Sequence, residues 1–225
     1  MRDAANAAAI VAAVHADLAR LTSWDAAGLR AVRRRHSQLL KHAPATSVLA
    51  AAHALASQGT FECRFMAYEL ILHHRAALAS LRAREVMALG RGINGWAAVD
   101  TFALYVAGPA WRGGQLSDAV VQRWTRSRDR WWRRAALVAT VALNSKARGG
   151  SGDSRRTVAL CARLVRDRDD MVVKAMSWAL RELAKRDAAA ARDFIARFDE
   201  RLAARVKREV RSKLTTGRKN SSRRA

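Results

Sequence analysis

β-Strand signals are almost missing from this sequence. No long stretch alternates Val, Ile, Thr and aromatic residues with polar ones, which argues against a sheet-based core. Proline occurs only 2 times in 225 residues, so little interrupts a helix. Cysteine is as scarce: Cys63 and Cys161 are the only two. Both fall in helical patterns and read as buried thiols of a reducing compartment, not as a disulfide framework. Neither forms a metal-ligand spacing with the 6 histidines, so no metal is expected. His73 and His74 are adjacent, face different ways on a helix, and read as structural or solvated. No run reaches the roughly 18 apolar residues that cross a bilayer. The N-terminus lacks the charged start, apolar run and cleavage site of a signal peptide. A cytoplasmic protein without membrane association is expected.

Acidic residues are the most telling shortage. Asp+Glu number 19 against 42 Lys+Arg, a formal net charge of +23. Such a charge concentrates polyanions around a protein, and nucleic acid is the default partner. An arginine-rich, high-GC coding bias raises Arg everywhere, but it does not remove acids locally.

What is present is helix. Half the residues are hydrophobic, with Ala and Leu dominant, and both lose little side-chain freedom in a helix. The fold class expected is all-α. Cap residues at starts and Gly or Pro at stops predict helices over Ala4–Leu21, from the Asp25 cap to Lys41, over Thr46–Ser57, and from the Thr60 cap through Phe61–His74. Further helices are predicted over Arg84–Leu89, over Gly95–Ala107 (capped by Asn94 and stopped by Gly108 and Pro109), from Ser117 or Asp118 to Trp124, and over Asp129–Ser145. Lys146–Asp153 reads as a loop. Ser154–Arg166, Asp170–Lys185, Asp187–Phe198 and Glu200–Leu214 complete the set. Helix pairs joined by short turns predict an α-solenoid of HEAT-like pairs, with an irregular bundle as the other arrangement. The expected organisation is one curved domain over residues 1–214 with a basic concave face. Residues 215–225 form a basic tail with nothing apolar to bury, expected to be disordered.

Three segments can carry chemistry. In Ile93–Asp100, Trp96 and Asp100 stand four apart and share a helical face. They read either as a core Trp beside a solvated acid or as a functional stripe. In Asp129–Ala136, two Trp and three Arg can stack on sugars and clamp phosphates, or divide between core and solvent. In Met171–Glu182, Lys174 and Trp178 again share a face, and Trp178 alone reads equally as packing.

Together these segments resemble the DNA alkylation repair family of AlkD-like alkylpurine DNA glycosylases, which are built of HEAT-like repeats. Trp96 and Asp100 match the family's Trp and Asp four apart on one helix. Arg134, followed by two alanines, matches its Arg on a later helix, with Arg133 the next choice. Trp178, with Lys174 and the run Ala179–Glu182, matches its Lys-Ala-x-x-Trp-Ala-Leu-Arg-Glu-like helix. Phe65–Leu70 resembles the helix that precedes the Trp–Asp segment. The resemblance covers roughly residues 61–185. The N-terminal aromatic motif of the AlkD branch is missing, and residues 205–219 differ from it, so a divergent branch is implied.

The resemblance implies removal of cationic purines such as 3-methyladenine and 7-methylguanine from double-stranded DNA in base excision repair, by a monomer associated with the bacterial nucleoid. No organic cofactor is expected for this activity. N3- or N7-alkylated purines leave as neutral bases, so no general acid is required. The deoxyribose becomes oxocarbenium-like. A fixed carboxylate, Asp100, can stabilise that charge and orient water. The faces of Trp96 and Trp178 attract cations, and Arg134 can grip a phosphate with two donors. From Arg201 to Ala225 the chain holds 10 Lys/Arg and 1 acid. There Lys207, Arg208, Arg211, Lys213, Arg218 and Lys219 are expected to contact phosphates without sequence preference. A non-catalytic HEAT-repeat protein for damaged or branched DNA, and a scaffold for an acidic protein partner, are the competing readings.

Overall fold

The computed structural model describes residues 2–23 and 25–220, with side chains from residue 6 onward, and among these residues it contains helices and no β-strand. The contacts gather into two compact units, Met1–Leu116 and Ser117–Ala225. The first unit contains α1 (Arg2–Ala19), α2 (Ala26–Leu39), α3 (Ala45–Ser57), α4 (Phe61–His73), α5 (Arg75–Ser80), α6 (Ala83–Leu89), α7 (Trp96–Phe102) and α8 (Gly108–Arg112). Helix α3 packs on α1, α5 and α6, and α4 packs on α2 and α7; α3 and α4 join the two rows. The second unit contains α9 (Asp118–Trp124), α10 (Arg130–Asn144), α11 (Ser154–Arg163), α12 (Asp170–Leu183), α13 (Ala188–Arg197) and α14 (Ala204–Thr216). Here α12 packs against both α10 and α14, while α11 and α13 touch each other and flank that row. Each unit is a two-row stack of consecutive helix pairs, the helical-repeat arrangement that the sequence predicts.

Side-chain caps fix four helix starts within one residue of where the sequence puts them. Asp25 accepts from the Gly28 N–H at 2.7 Å, Thr60 from Cys63 at 3.3 Å, Asp129 from Trp131 at 2.8 Å and Asp187 from Ala190 at 2.9 Å. Each satisfies a backbone donor that has no partner inside the helix. Two starts differ from expectation. The cap residue of α7 is Gly95, which has no side chain to cap with, and not the expected Asn94, and the last helix begins at Ala204 after a 3-10 turn over Asp199–Arg201.

Pro109 does not stop a helix. A π-helical segment, Ala103–Ala107, lies just before it, and the chain continues as α8 with the proline in the first turn. Proline lacks an N–H and its ring crowds the carbonyl one turn back, and the wider π turn takes up that conflict. Helix α5 escaped the pattern because it is short and its cap is a histidine. His74 accepts from the Ala77 N–H at Nδ1 (3.0 Å) and lies 3.1 Å from the Ala43 carbonyl oxygen at Nε2. The proton therefore sits on Nε2, and His74 is structural, as expected.

The loop after α10 is tightly held. A Cβ on Gly150 would lie 2.5 Å from the Leu143 carbonyl oxygen. Arg186 donates to the carbonyl oxygens of Asn144 (2.8 Å) and Gly150 (3.1 Å). Both cysteines are buried and free, and burial pushes the Cys161 thiol pKa up. The helix of the expected tail runs further than predicted: α14 includes Thr215 and Thr216 and ends on left-handed Gly217. Residues 221–225 of that tail lie outside the described residues. No described helix is long and apolar enough to cross a membrane.

Candidate nucleic-acid interface

In the first unit the site is built from α4 upward. Arg64 and Tyr68 stand one turn apart on α4, and both are buried. The Tyr68 hydroxyl donates to the Leu89 carbonyl oxygen at 2.9 Å, and Arg64 Nη2 donates to the Arg91 carbonyl oxygen at 3.0 Å. Arg64 Nη1 also reaches the Tyr68 oxygen at 3.3 Å. Burial pushes the Tyr68 pKa up, opposed by Arg64, so the hydroxyl keeps its proton and donates. These bonds pin the turn between α6 and α7. Gly95 ends the turn with φ of +92°, a conformation that favours glycine. Helix α7 then begins at Trp96.

Trp96 is not a core residue: it is 60% exposed. Ala98, Val99 and Phe102 anchor α7 by burial, which leaves Trp96 outside and Asp100, one turn on, half-buried. Trp96 lines a surface recess of about 230 Å³ with Phe61, Gly59, Asn94, Gly95 and Ala97. Phe61 is 37% exposed and was not among the expected site residues. Its signal is positional: a large aromatic directly after the Thr60 cap, before the buried face of α4 begins.

In the second unit the expected residues fall into groups. Trp132 packs on Trp124 with ring centroids 5.0 Å apart, while Trp131 is half-buried under the Arg130 guanidinium at 4.8 Å. Arg133 donates to Asp167 at 2.7 Å and to the carbonyl oxygens of Ser127 and Arg128, both at 2.9 Å. Arg134 is 6% exposed and donates to the Met171 carbonyl oxygen at 2.6 Å, tying α10 to the first turn of α12. Both arginines thus have intramolecular partners.

Along α12, Asp170, Lys174, Trp178 and Arg181 share one stripe at helical spacing, outside the buried face formed by Val172, Val173, Ala175, Met176, Ala179 and Leu180. Lys174 pairs with Asp170 at 2.6 Å. Trp178 is half-buried. Arg181 donates to the Ser177 hydroxyl at 3.2 Å, and that hydroxyl donates to buried Glu209 of α14 at 2.6 Å. Burial lowers the Arg181 pKa, opposed by Glu209 and Glu182.

Helix α14 divides its cations between two sides. Arg205 faces α12, donating to Asp170 at 2.8 Å and lying 3.5 Å from Glu209. Lys219 reaches Glu209 at 3.9 Å. Lys207 and Arg211 lie two and six positions on, roughly opposite around the helix. They pair instead with Asp199 at 3.3 and 2.6 Å. Arg208 and Arg218 are exposed, and Lys213 bonds the Gly217 carbonyl oxygen. The structure therefore groups Lys174, Trp178 and Lys219 around the α12–α14 face and directs Lys207 and Arg211 elsewhere. Arg205, which reaches from α14 to Asp170 on that face, escaped the sequence reading because nothing local distinguishes it from its basic neighbours.

No group of three or more His, Cys, Asp or Glu among the described residues can hold a metal ion. No curated protein matches the chain in sequence. The sequence pattern of the family described as DNA alkylation repair enzyme matches residues 2–214, nearly the whole chain. This protein belongs to the DNA alkylation repair enzyme family.

Proposed function

We propose that this protein is a monofunctional DNA glycosylase that hydrolyses the N-glycosidic bond of cationic alkylated purines, of the 3-methyladenine and 7-methylguanine type, in duplex DNA. It would act as a monomer on the bacterial nucleoid and begin base excision repair. The observation that carries the reading is the pairing of an exposed Trp96 with Asp100 on the next turn of α7, in a chain of a DNA repair family. A tryptophan left 60% exposed on a well-packed helix is an apolar surface available to a ligand.

The chemistry asked of these residues is small. The N-glycosidic bond breaks with its electron pair going to the cationic purine, which leaves neutral. Water adds to the anomeric carbon, and one proton is released. Asp100 stabilises the developing sugar cation, orients the water and accepts its proton. The indole faces of Trp96 and Trp178 attract cationic groups of the damaged DNA. Lys174, Lys219, Arg208 and Arg218 contact phosphates, and so does Arg134 once its guanidinium exchanges part of its internal bonding. Lys207, Arg211, Lys213 and Arg133 contribute to the same basic field with their internal partners in place. No lysine is assigned as a Schiff-base nucleophile, so base release without strand cleavage is expected.

The test is incubation with methylated duplex DNA, with free 3-methyladenine and 7-methylguanine followed over time. Release of either base without strand breaks supports the glycosylase reading. Salt-sensitive DNA binding with no release of either base would replace it with a non-catalytic DNA-binding role.

A further inference from the structure

At the start of α12 two cations from different helices converge on one carboxylate. Lys174 Nζ lies 2.6 Å from Asp170 Oδ2, and Arg205 Nη1 lies 2.8 Å from Asp170 Oδ1. A Lys four residues after an Asp is by itself an ordinary surface pair on a helix. Arg205 is what makes this a site. It arrives from α14 and is held from beneath by buried Glu209, 3.5 Å from its Nε. Its Nη1 is thus directed at the exposed Asp170 carboxylate.

Asp170 is not the residue that caps α12. Asp169 already caps α12, accepting from the N–H groups of Met171 (2.9 Å) and Val172 (3.4 Å). The Asp170 side chain is 59% exposed, and those of Lys174 and Arg205 are 43% and 37% exposed. An ion pair this open is weak and gives way to a competing anion. The hydrogen bond from Lys174, with Arg205 and Arg134 nearby, holds the Asp170 carboxyl below the usual range. The cluster is therefore a cradle for an oxyanion in which two donors meet two oxygens, and a phosphodiester presents the same pair of non-bridging oxygens.

We propose that Lys174 and Arg205 form a clamp for a DNA backbone phosphate, and that Asp170 occupies this clamp in the free protein as an internal competitor. The proposal rests on the reading that this protein binds DNA. A phosphate entering the clamp must displace the carboxylate. Asp170 thus lowers affinity for undamaged backbone everywhere on the duplex, which keeps a protein of formal charge +23 mobile on DNA.

The experiment is the affinity for a methylated duplex of wild type, Asp170→Asn, Arg205→Gln and the double variant, measured across a salt series. Asp193→Asn is the control: it removes the same charge from an exposed position on α13. Thermal melts report that each variant is folded. Asp170→Asn should bind about three- to tenfold tighter than wild type, and its slope of log affinity against log salt should steepen by about 0.9. Asp193→Asn should move both much less. Arg205→Gln should weaken binding, and the gain from Asp170→Asn should largely vanish in its background, since the two act on one site. Equal gains from Asp170→Asn and Asp193→Asn, or a full gain without Arg205, would overturn the clamp while leaving DNA binding intact. Absence of binding by wild type would overturn both the clamp and the DNA-binding reading.

Discussion

Tyr68 donates its buried hydroxyl to the carbonyl oxygen of Leu89, 2.9 Å away, and so fixes the turn from which Trp96 departs. The bond joins α4 to the end of α6, and removing it leaves a buried carbonyl without its donor. Tyr68→Phe should lower unfolding free energy by about 1–3 kcal/mol. It should also slow base release while leaving affinity for undamaged duplex nearly unchanged. Denaturant unfolding and single-turnover release together check this. A loss of stability with an unaltered release rate would show that the turn does not position Trp96.

Trp96 itself should matter for activity and not for folding. With most of its surface in water, Trp96→Ala should change stability by less than about 0.5 kcal/mol. Loss of a desolvated cation–aromatic contact should reduce the release rate about tenfold or more. Phe61→Ala, across the same recess, should give a smaller reduction in the same direction. Melting curves and release rates measured on the same samples separate the two effects.

Much of this arrangement was legible beforehand, for identifiable reasons. Helix starts depend on local chemistry, so Asp25 and Thr60 reveal themselves as caps by type and position, and Asp129 and Asp187 mark where their helices begin. The Trp96–Asp100 spacing is likewise local. What escaped depends on distant partners. Arg134 looks in sequence like any arginine beside tryptophan, and only the placement of α12 shows its bond to the Met171 carbonyl oxygen. Arg205 differs from Lys207 by two positions, yet one faces Asp170 and the other Asp199. Pro109 reads as a stop because the π segment before it has no sequence signature.

Gly150 should tolerate no side chain. A Cβ there would meet the carbonyl oxygens of Leu143 and Ala142 at 2.5 and 2.6 Å, and these belong to the rigid end of α10. Gly150→Ala should destabilise the protein by about 2 kcal/mol or more, read as a lower midpoint in denaturant. Gly114→Ala is the useful comparison, because its φ is positive (+85°) but a Cβ there meets nothing within 4 Å. It should show backbone strain alone and a smaller loss.

Stability should fall in mild acid through His53. Burial lowers its pKa below the ordinary histidine value of 6.5, opposed by Glu85. The folded state therefore binds a proton less readily than the unfolded chain. The contribution is fully present above pH 6.5 and is lost as pH falls through the lower folded value. His53→Gln should flatten the dependence of melting temperature on pH in that window. An unchanged slope would exclude His53 as its source.

The central claim is that Asp100 drives loss of the cationic base. The most direct measurement is the single-turnover rate of 7-methylguanine release by wild type and Asp100→Asn, with DNA affinity determined for both. The expected result is unchanged affinity and a rate lower by about a hundredfold or more, as for loss of a group that stabilises charge in the transition state. Release by Asp100→Asn at the wild-type rate would contradict the account.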